Sequence, residues 1–91
     1  MAQFLMIMLE GDSVGDWATY VNSLAEQGRL RGGSSLGNGI RLTKGNADQP
    51  CNATGFIRVE ASSLEDARSL LRGNPLFEGG GVIELLEELP G

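Results

Sequence analysis

The stretch from Thr54 to Leu89, TGFIRVEASSLEDARSLLRGNPLFEGGGVIELLEEL, constrains the fold more than any other part of the chain. It reads as a strand, a capped helix, a stop signal and a second strand. Thr54 to Glu60 is a strand, with Ala53, Gly55, Ile57 and Val59 on one face. Thr54, Phe56, Arg58 and Glu60 share the other. Ser62 and Glu65 form an S-x-x-E capping box that opens a helix. Leu64, Ala67, Leu70 and Leu71 make its buried stripe, and Arg68 and Arg72 sit near its electronegative end. Gly73, Asn74 and Pro75 end it. Val82 to Leu89 is the last strand, with Ile83, Leu85 and Leu89 on one face and Val82, Glu84, Leu86 and Glu88 on the other.

The first half repeats this logic more loosely. Phe4 to Leu9 is an unbroken apolar run of strand length, which points to a central strand covered on both faces. Gly11 and Asp12 break it. Asp12 or Ser13 caps a following helix, with Asp16 favourable in the first turn. Val14, Trp17, Ala18, Val21, Leu24 and Ala25 then recur at helical spacing, and Gly28 is a natural stop. A glycine-rich passage runs from Gly32 to Gly39, and Leu36, Ile40 and Leu42 alternate with Arg41 and Thr43, the pattern of a bent or bulged strand near a sheet edge. Lys44 to Asn52 is a loop by composition. The glycines do not make a phosphate cradle: no GxGxxG joins a strand to a helix, and no Walker lysine follows.

The order βαββαβ predicts an α+β chain, a ferredoxin-like sandwich with a four-stranded antiparallel sheet and two helices on one face. The 91 residues make one such domain. The first and third strands are central. Leu5, Ile7 and Leu9 then face the helices, while Phe4, Met6, Met8 and Phe56 line the open face. That face is too apolar to leave in water, which predicts a homodimer packed sheet to sheet.

Composition narrows the partners. A net charge of −5 repels phosphate backbones, and no basic cluster suggests a nucleic acid or an anionic membrane. The opening MAQFLMIMLEGD lacks a basic leader and reads as a buried strand rather than a signal peptide. Cys51 is the only cysteine, an ordinary loop thiol that excludes an internal disulfide. With no histidine and one cysteine, a transition-metal site and a bound cofactor are not expected. The default location is the cytoplasm.

With these elements placed, the chain resembles the YCII-related (YciI-like) family of dimeric α+β barrel proteins. Four passages carry the resemblance: FLMIMLEGD near the start, QGRLRGGSSL at Gln27 to Leu36, TGFIRVEASSLEDAR at Thr54 to Arg68, and NPLFEGGGVIELLEEL at Asn74 to Leu89. The resemblance implies a ferredoxin-like subunit, a homodimer, and a cavity between the sheet and the helices or the partner. It also implies kinship with enzymes that act on small aromatic-derived molecules, dechlorination included, and with proteins neighbouring sigma factors. A His-Asp pair is proposed as catalytic in some members; it cannot exist in a chain without histidine. The D-G-P-F-type segment of one large branch is replaced here by Asp48-Gln49-Pro50-Cys51.

The candidate ligand-binding residues are Arg58, Arg41, Tyr20, Met6, Met8, Phe56 and Glu84. Arg58 projects onto the open face, where it either holds a carboxylate or phenolate bidentately or pairs with Glu84 or Glu88. Arg41 is a second anion contact or a solvated edge charge. Tyr20 sits at the margin of the helical stripe, where its hydroxyl either reaches a cleft or stays structural; Trp17 is core. Glu84 and Glu88 share a side but lie about 13 Å apart, too far for one cation. Two functions follow. One is a small-molecule-binding or accessory dimer without catalysis. The other is a cofactor-free isomerase, dehydrochlorinase or monooxygenase on a small aromatic or lactone compound, with Tyr20, Asp16 or Glu84 as acid or base.

Overall fold

A computed structural model describes residues 1–91. In chain order the elements are β1 (Ala2–Met8), α1 (Trp17–Glu26), β2 (Leu30–Ser35), β3 (Ile40–Arg41), β4 (Gln49–Pro50), β5 (Gly55–Ala61), α2 (Leu64–Ser69), α3 (Pro75–Glu78) and β6 (Ile83–Glu88). Four strands form an antiparallel sheet in the order β2-β5-β1-β6, and β3 and β4 pair separately as a small hairpin. This is a mixed α+β structure consistent with a ferredoxin-like fold, with β1 and β5 central as expected. No helix is long and apolar enough to cross a membrane.

The register decides which side of β1 is buried. Phe4 lies opposite Val59, Met6 opposite Ile57 and Leu85, and Met8 opposite Gly55 and Ile83. Residues paired across strands project to the same face. Phe4, Met6, Met8, Ile57, Val59 and Ala61 therefore form one buried layer, covered by Tyr20, Leu24, Ala67, Leu70, Leu71 and Leu76 from the helical side. The sequence-based expectation is reversed here. Leu5 and Ile7 lie on the open face with Phe56 and Arg58, while Met6 and Met8 point into the core. The reason is that β1 is apolar at every position, so its own alternation holds no information about direction. Strand β5 does hold it, because Arg58 and Glu60 are too costly to bury and must face outward.

Three local expectations shift for physical reasons. Asp16, rather than Asp12 or Ser13, caps α1: its carboxylate accepts from the Ala18 N–H at 3.3 Å and from the Thr19 hydroxyl at 2.8 Å. Residues before it are drawn away by a backbone bond from Val14 N–H to the Pro75 carbonyl, 3.0 Å. The second strand is Leu30–Ser35, not the run around Leu36 to Leu42. Its glycines are what permit it: a Cβ on Gly33 would lie 2.6 Å from the Phe56 carbonyl oxygen, and Gly32 takes φ +123° at a bulge. The chain after Asn74 does not simply stop. The Asn74 side chain accepts from the Leu76 and Phe77 N–H groups, both at 3.0 Å, and opens a short third helix with Pro75 at its first position.

The capping box at α2 is offset by one residue. Ser63 is the cap and accepts from the Asp66 N–H at 3.1 Å. The Asp66 carboxylate in turn accepts from Arg29 Nη1 at 2.9 Å, from Ser62 N–H at 2.9 Å and from the Ser62 hydroxyl at 3.0 Å. Arg29 also donates to the Glu60 carbonyl at 3.1 Å. One carboxylate thus joins the start of α2, the end of β5 and the link from α1 to β2. The Arg29 guanidinium, then the Ser62 donors, hold the Asp66 carboxyl at about 2, below its ordinary 3.8. Its folded value is depressed, so its stabilisation is complete above pH 3.8 and is lost as pH falls toward about 2. Asp66→Asn is expected to lower the unfolding midpoint at neutral pH and to flatten the acid limb in that window. A mutant whose midpoint follows the wild-type pH curve would contradict this role.

Candidate functional site

A concavity lies where α1 passes over the β2 edge of the sheet. It has a volume of about 770 Å³. Trp17 and Val21 of α1 form one wall, and Leu76 of α3 closes one side. Met8, Leu9, Gly11 and Ser13 come from the end of β1 and the turn after it. Leu30, Gly32, Gly33, Ser34 and Ser35 come from β2, and Thr54, Gly55, Phe56 and Ile57 from β5 and its approach. Ser34 lies opposite Phe56, and Gly33 opposite Ile57. Those pairs project to opposite faces of the sheet, Gly33 and Ile57 toward the helices and Ser34 and Phe56 toward the open face.

The lining is chemically simple. Half of its 16 residues are apolar. The polar side chains are the hydroxyls of Ser13, Ser34, Ser35 and Thr54, and no lining residue is acidic, basic, a thiol or a phenol. The Ser34 hydroxyl donates to the Ser35 carbonyl at 2.9 Å, and Thr54 is within reach of the Met8 and Leu9 carbonyls at 3.3 and 3.2 Å. Their oxygens keep lone pairs for a ligand donor. Trp17 is held edge-on to Tyr20, ring centroids 6.3 Å apart at 75°, which presets its indole. The arrangement can enclose a flat apolar ring and hydrogen-bond groups at its rim. No group of three or more cysteine, aspartate or glutamate side chains comes together to hold a metal ion.

The candidate residues scatter. Phe56 and Met8 line the cleft. Met6 does not: it is fully buried, its sulfur 3.4 Å from the Tyr20 hydroxyl. Tyr20 is also core, and its hydroxyl donates to the Leu70 carbonyl at 2.7 Å. Burial pushes the phenol up to about 12, against a smaller opposing effect of the Asn74 side chain, whose amide nitrogen has no hydrogen-bond partner. A phenol so buried and so committed is no acid for a cleft. Arg58 lies on the open face and pairs bidentately with Glu88, Nε to Oε1 at 2.6 Å and Nη2 to Oε2 at 3.1 Å, with its guanidinium 5.9 Å from the Phe56 ring. The Glu88 carboxylate raises its already high pKa. Glu84, opposite Ile7, is exposed on the same face and away from the cleft. Arg41 is not on a strand beside Arg58; it belongs to the separate β3–β4 hairpin. Asp16 is an exposed helix cap, its carboxyl lowered first by the Thr19 hydroxyl.

What sequence reasoning missed is the ring of hydroxyls and the glycine floor. The signal was present in Gly32-Gly33-Ser34-Ser35, a run with no bulk and four consecutive backbone-rich positions. Small residues in an edge strand mark a place where something approaches the backbone.

No family model and no curated protein matches the chain. Among solved structures, the chain is similar to 5-chloro-2-hydroxyhydroquinone dehydrochlorinase from Burkholderia phenoliruptrix, in complex with 2,5-dihydroxybenzoquinone. The match covers 98% of this chain and 95% of that one, with a TM-score of 0.58 and 18% identity. It is a likeness of fold.

The placement of Tyr20 gives a direct expectation. Tyr20→Phe leaves the Leu70 carbonyl without its donor, which costs about 1–2 kcal/mol. The phenol's raised pKa means that the folded state holds its proton longer than the unfolded state. Stability therefore falls as pH rises from 10.0 to about 12. Urea unfolding of Tyr20→Phe should show the lower stability at neutral pH and no decline of that origin in alkali. Wild-type stability at neutral pH would contradict the hydrogen bond.

Proposed function

We propose that this chain is a YciI-like dimeric α+β barrel protein that binds a small aromatic molecule in the cleft beside β2. The observation that carries the reading is the lining itself: an indole and aliphatic side chains around a glycine floor, with hydroxyls as the polar groups. Such a site favours a flat, uncharged ring bearing hydroxyl or carbonyl substituents. A carboxylate ligand is less well served, since no lining side chain is cationic. The open sheet face, with Leu5, Ile7 and Leu86 around the Arg58–Glu88 pair, is the surface through which two subunits pack. One domain spans residues 1–91, and the cytoplasm is its setting, where a lone exposed thiol such as Cys51 stays reduced.

A second reading is a cofactor-free enzyme on the same kind of ligand. The fold likeness to a dehydrochlorinase of a chlorinated hydroquinone supports it. Against it stands the lining, which offers no side chain with a pKa suited to moving a proton near neutrality. Binding without catalysis is therefore the reading preferred here.

The test uses 2,5-dihydroxybenzoquinone as probe and the single tryptophan, Trp17, as reporter. Saturable quenching is expected in the wild type. Val21→Phe, which adds bulk to the α1 wall, should weaken it by about tenfold or more, the size of a steric clash in a tight apolar site. Arg58→Ala should leave it unchanged. Equal quenching of wild type and Val21→Phe would remove the cleft as the site. Release of chloride from a chlorinated hydroquinone by wild type, abolished in Val21→Phe, would favour the enzyme reading.

A further inference from the structure

Residues 31–52 are exposed without interruption. The chain leaves the sheet at Ser35, runs out through β3, returns through β4 and rejoins the sheet at Gly55. At its root, Leu36 N–H donates to the Thr54 carbonyl at 3.0 Å. Farther out, Cys51 N–H donates to the Gly39 carbonyl at 3.0 Å, and β3 pairs with β4 alone. The segment is an arm rather than part of the sandwich. It carries exposed Leu36, Ile40 at 61% and Leu42 at 68%. Ordering such an arm costs conformational entropy, and within one copy no apolar burial offsets that cost.

Charge separates the arm from the body. Residues 36–53 hold Arg41 and Lys44 against Asp48, a net +1 in a chain of net −5, so the rest of the chain carries −6. The four ion pairs of the molecule are made by Arg29, Arg31, Arg58 and Arg68. Arg41 and Lys44 have no carboxylate of their own. The opposite edge of the sheet is the complement. There β6 is the outer strand, with unpaired Glu84 and Glu87 and with exposed Val82, Leu86 and Leu89. Glu84 and Glu87 are three positions apart, as are Arg41 and Lys44. An outer strand also presents unpaired backbone groups, which natural chains cover.

We infer that the arm of one copy lies along the β6 edge of a second copy, Arg41 and Lys44 against Glu84 and Glu87, with Ile40 and Leu42 against the apolar side chains of that edge. A two-fold pair makes the contact twice. The β6 edge adjoins the open sheet face, so the inference rests on self-association through that face and adds an arm that clasps the partner. Because Ser35 and Thr54 at the root of the arm also line the cleft, docking of the arm holds the cleft mouth in shape.

Sedimentation equilibrium of the full chain tests this, with circular dichroism to show that each variant is folded. The arm variant is Arg41→Glu with Lys44→Glu, the edge variant is Glu84→Lys with Glu87→Lys, and the combined variant carries all four. Each substitution falls on an exposed side chain. The wild type should be a dimer. The arm and edge variants should each raise the dimer Kd by about tenfold or more, and the combined variant should recover most of the loss. Ile7→Asp, on the open face, should be monomeric. An arm variant as tight as wild type, beside a monomeric Ile7→Asp, overturns the clasp and leaves the open-face dimer standing. A weakened arm variant beside a dimeric Ile7→Asp overturns the open-face packing instead. A combined variant no tighter than either parent overturns the pairing of arm with β6. A monomeric wild type that cosediments with phosphatidylserine vesicles overturns both and assigns the arm to an anionic membrane.

Discussion

The antiparallel register between β1 and β5 is the constraint on which the rest of the structure depends. It sets Met6 beside Ile57 and Phe4 beside Val59, and so assigns one side of an apolar strand to the core and the other to the open face. From that assignment follow the burial of Tyr20 against Met6 and Leu70, the docking of α1 and α2, and the outward direction of Arg58. A slip of one residue would exchange the two faces of β1 entirely. The polar residues of β5 fix the facing of that strand, since turning it over would bury a guanidinium and a carboxylate without partners.

The cleft is a consequence of what β2 lacks. An edge strand with two glycines brings its backbone against Phe56 and Ile57 and leaves room above for Trp17 and Val21 to stand off the sheet. The polar groups that remain are hydroxyls and carbonyls. They offer hydrogen bonds without demanding charge from a ligand. The Arg58–Glu88 pair lies outside this space, where each group neutralises the other on the sheet face that also carries Leu5, Ile7 and Leu86. On the proposed reading, that separation gives one face to a second subunit and the cleft to a ring.

The sequence made the element order, the two central strands and the partition of β5 and β6 legible, because those strands alternate apolar with charged residues. Gly28 and the residues around Pro75 marked real boundaries for the same kind of reason: backbone positions with restricted choices announce themselves. The direction of β1 was illegible, since six successive apolar residues carry no phase. Strand β2 was hidden by its glycines, whose value lies in a close approach that only the folded sheet contains. Moving that strand forward also removed Arg41 from the neighbourhood of Arg58. Tyr20 looked marginal on a helical wheel, yet the carbonyl of Leu70, distant in sequence, was waiting for its proton. Of the candidate residues, those that reached the cleft did so through strand ends; of those chosen for charge, Arg58 is paired with Glu88, while Arg41 and Glu84 stay exposed away from the cleft.

The most direct test of the cleft as the binding site is an amide chemical-shift titration of the labelled protein with a small aromatic quinone. The account expects the largest shifts at Ser13, Trp17, Ser34, Ser35, Thr54 and Gly55, around the cleft. Shifts centred on Leu5, Arg58 and Glu88, or none at saturating quinone, would contradict it.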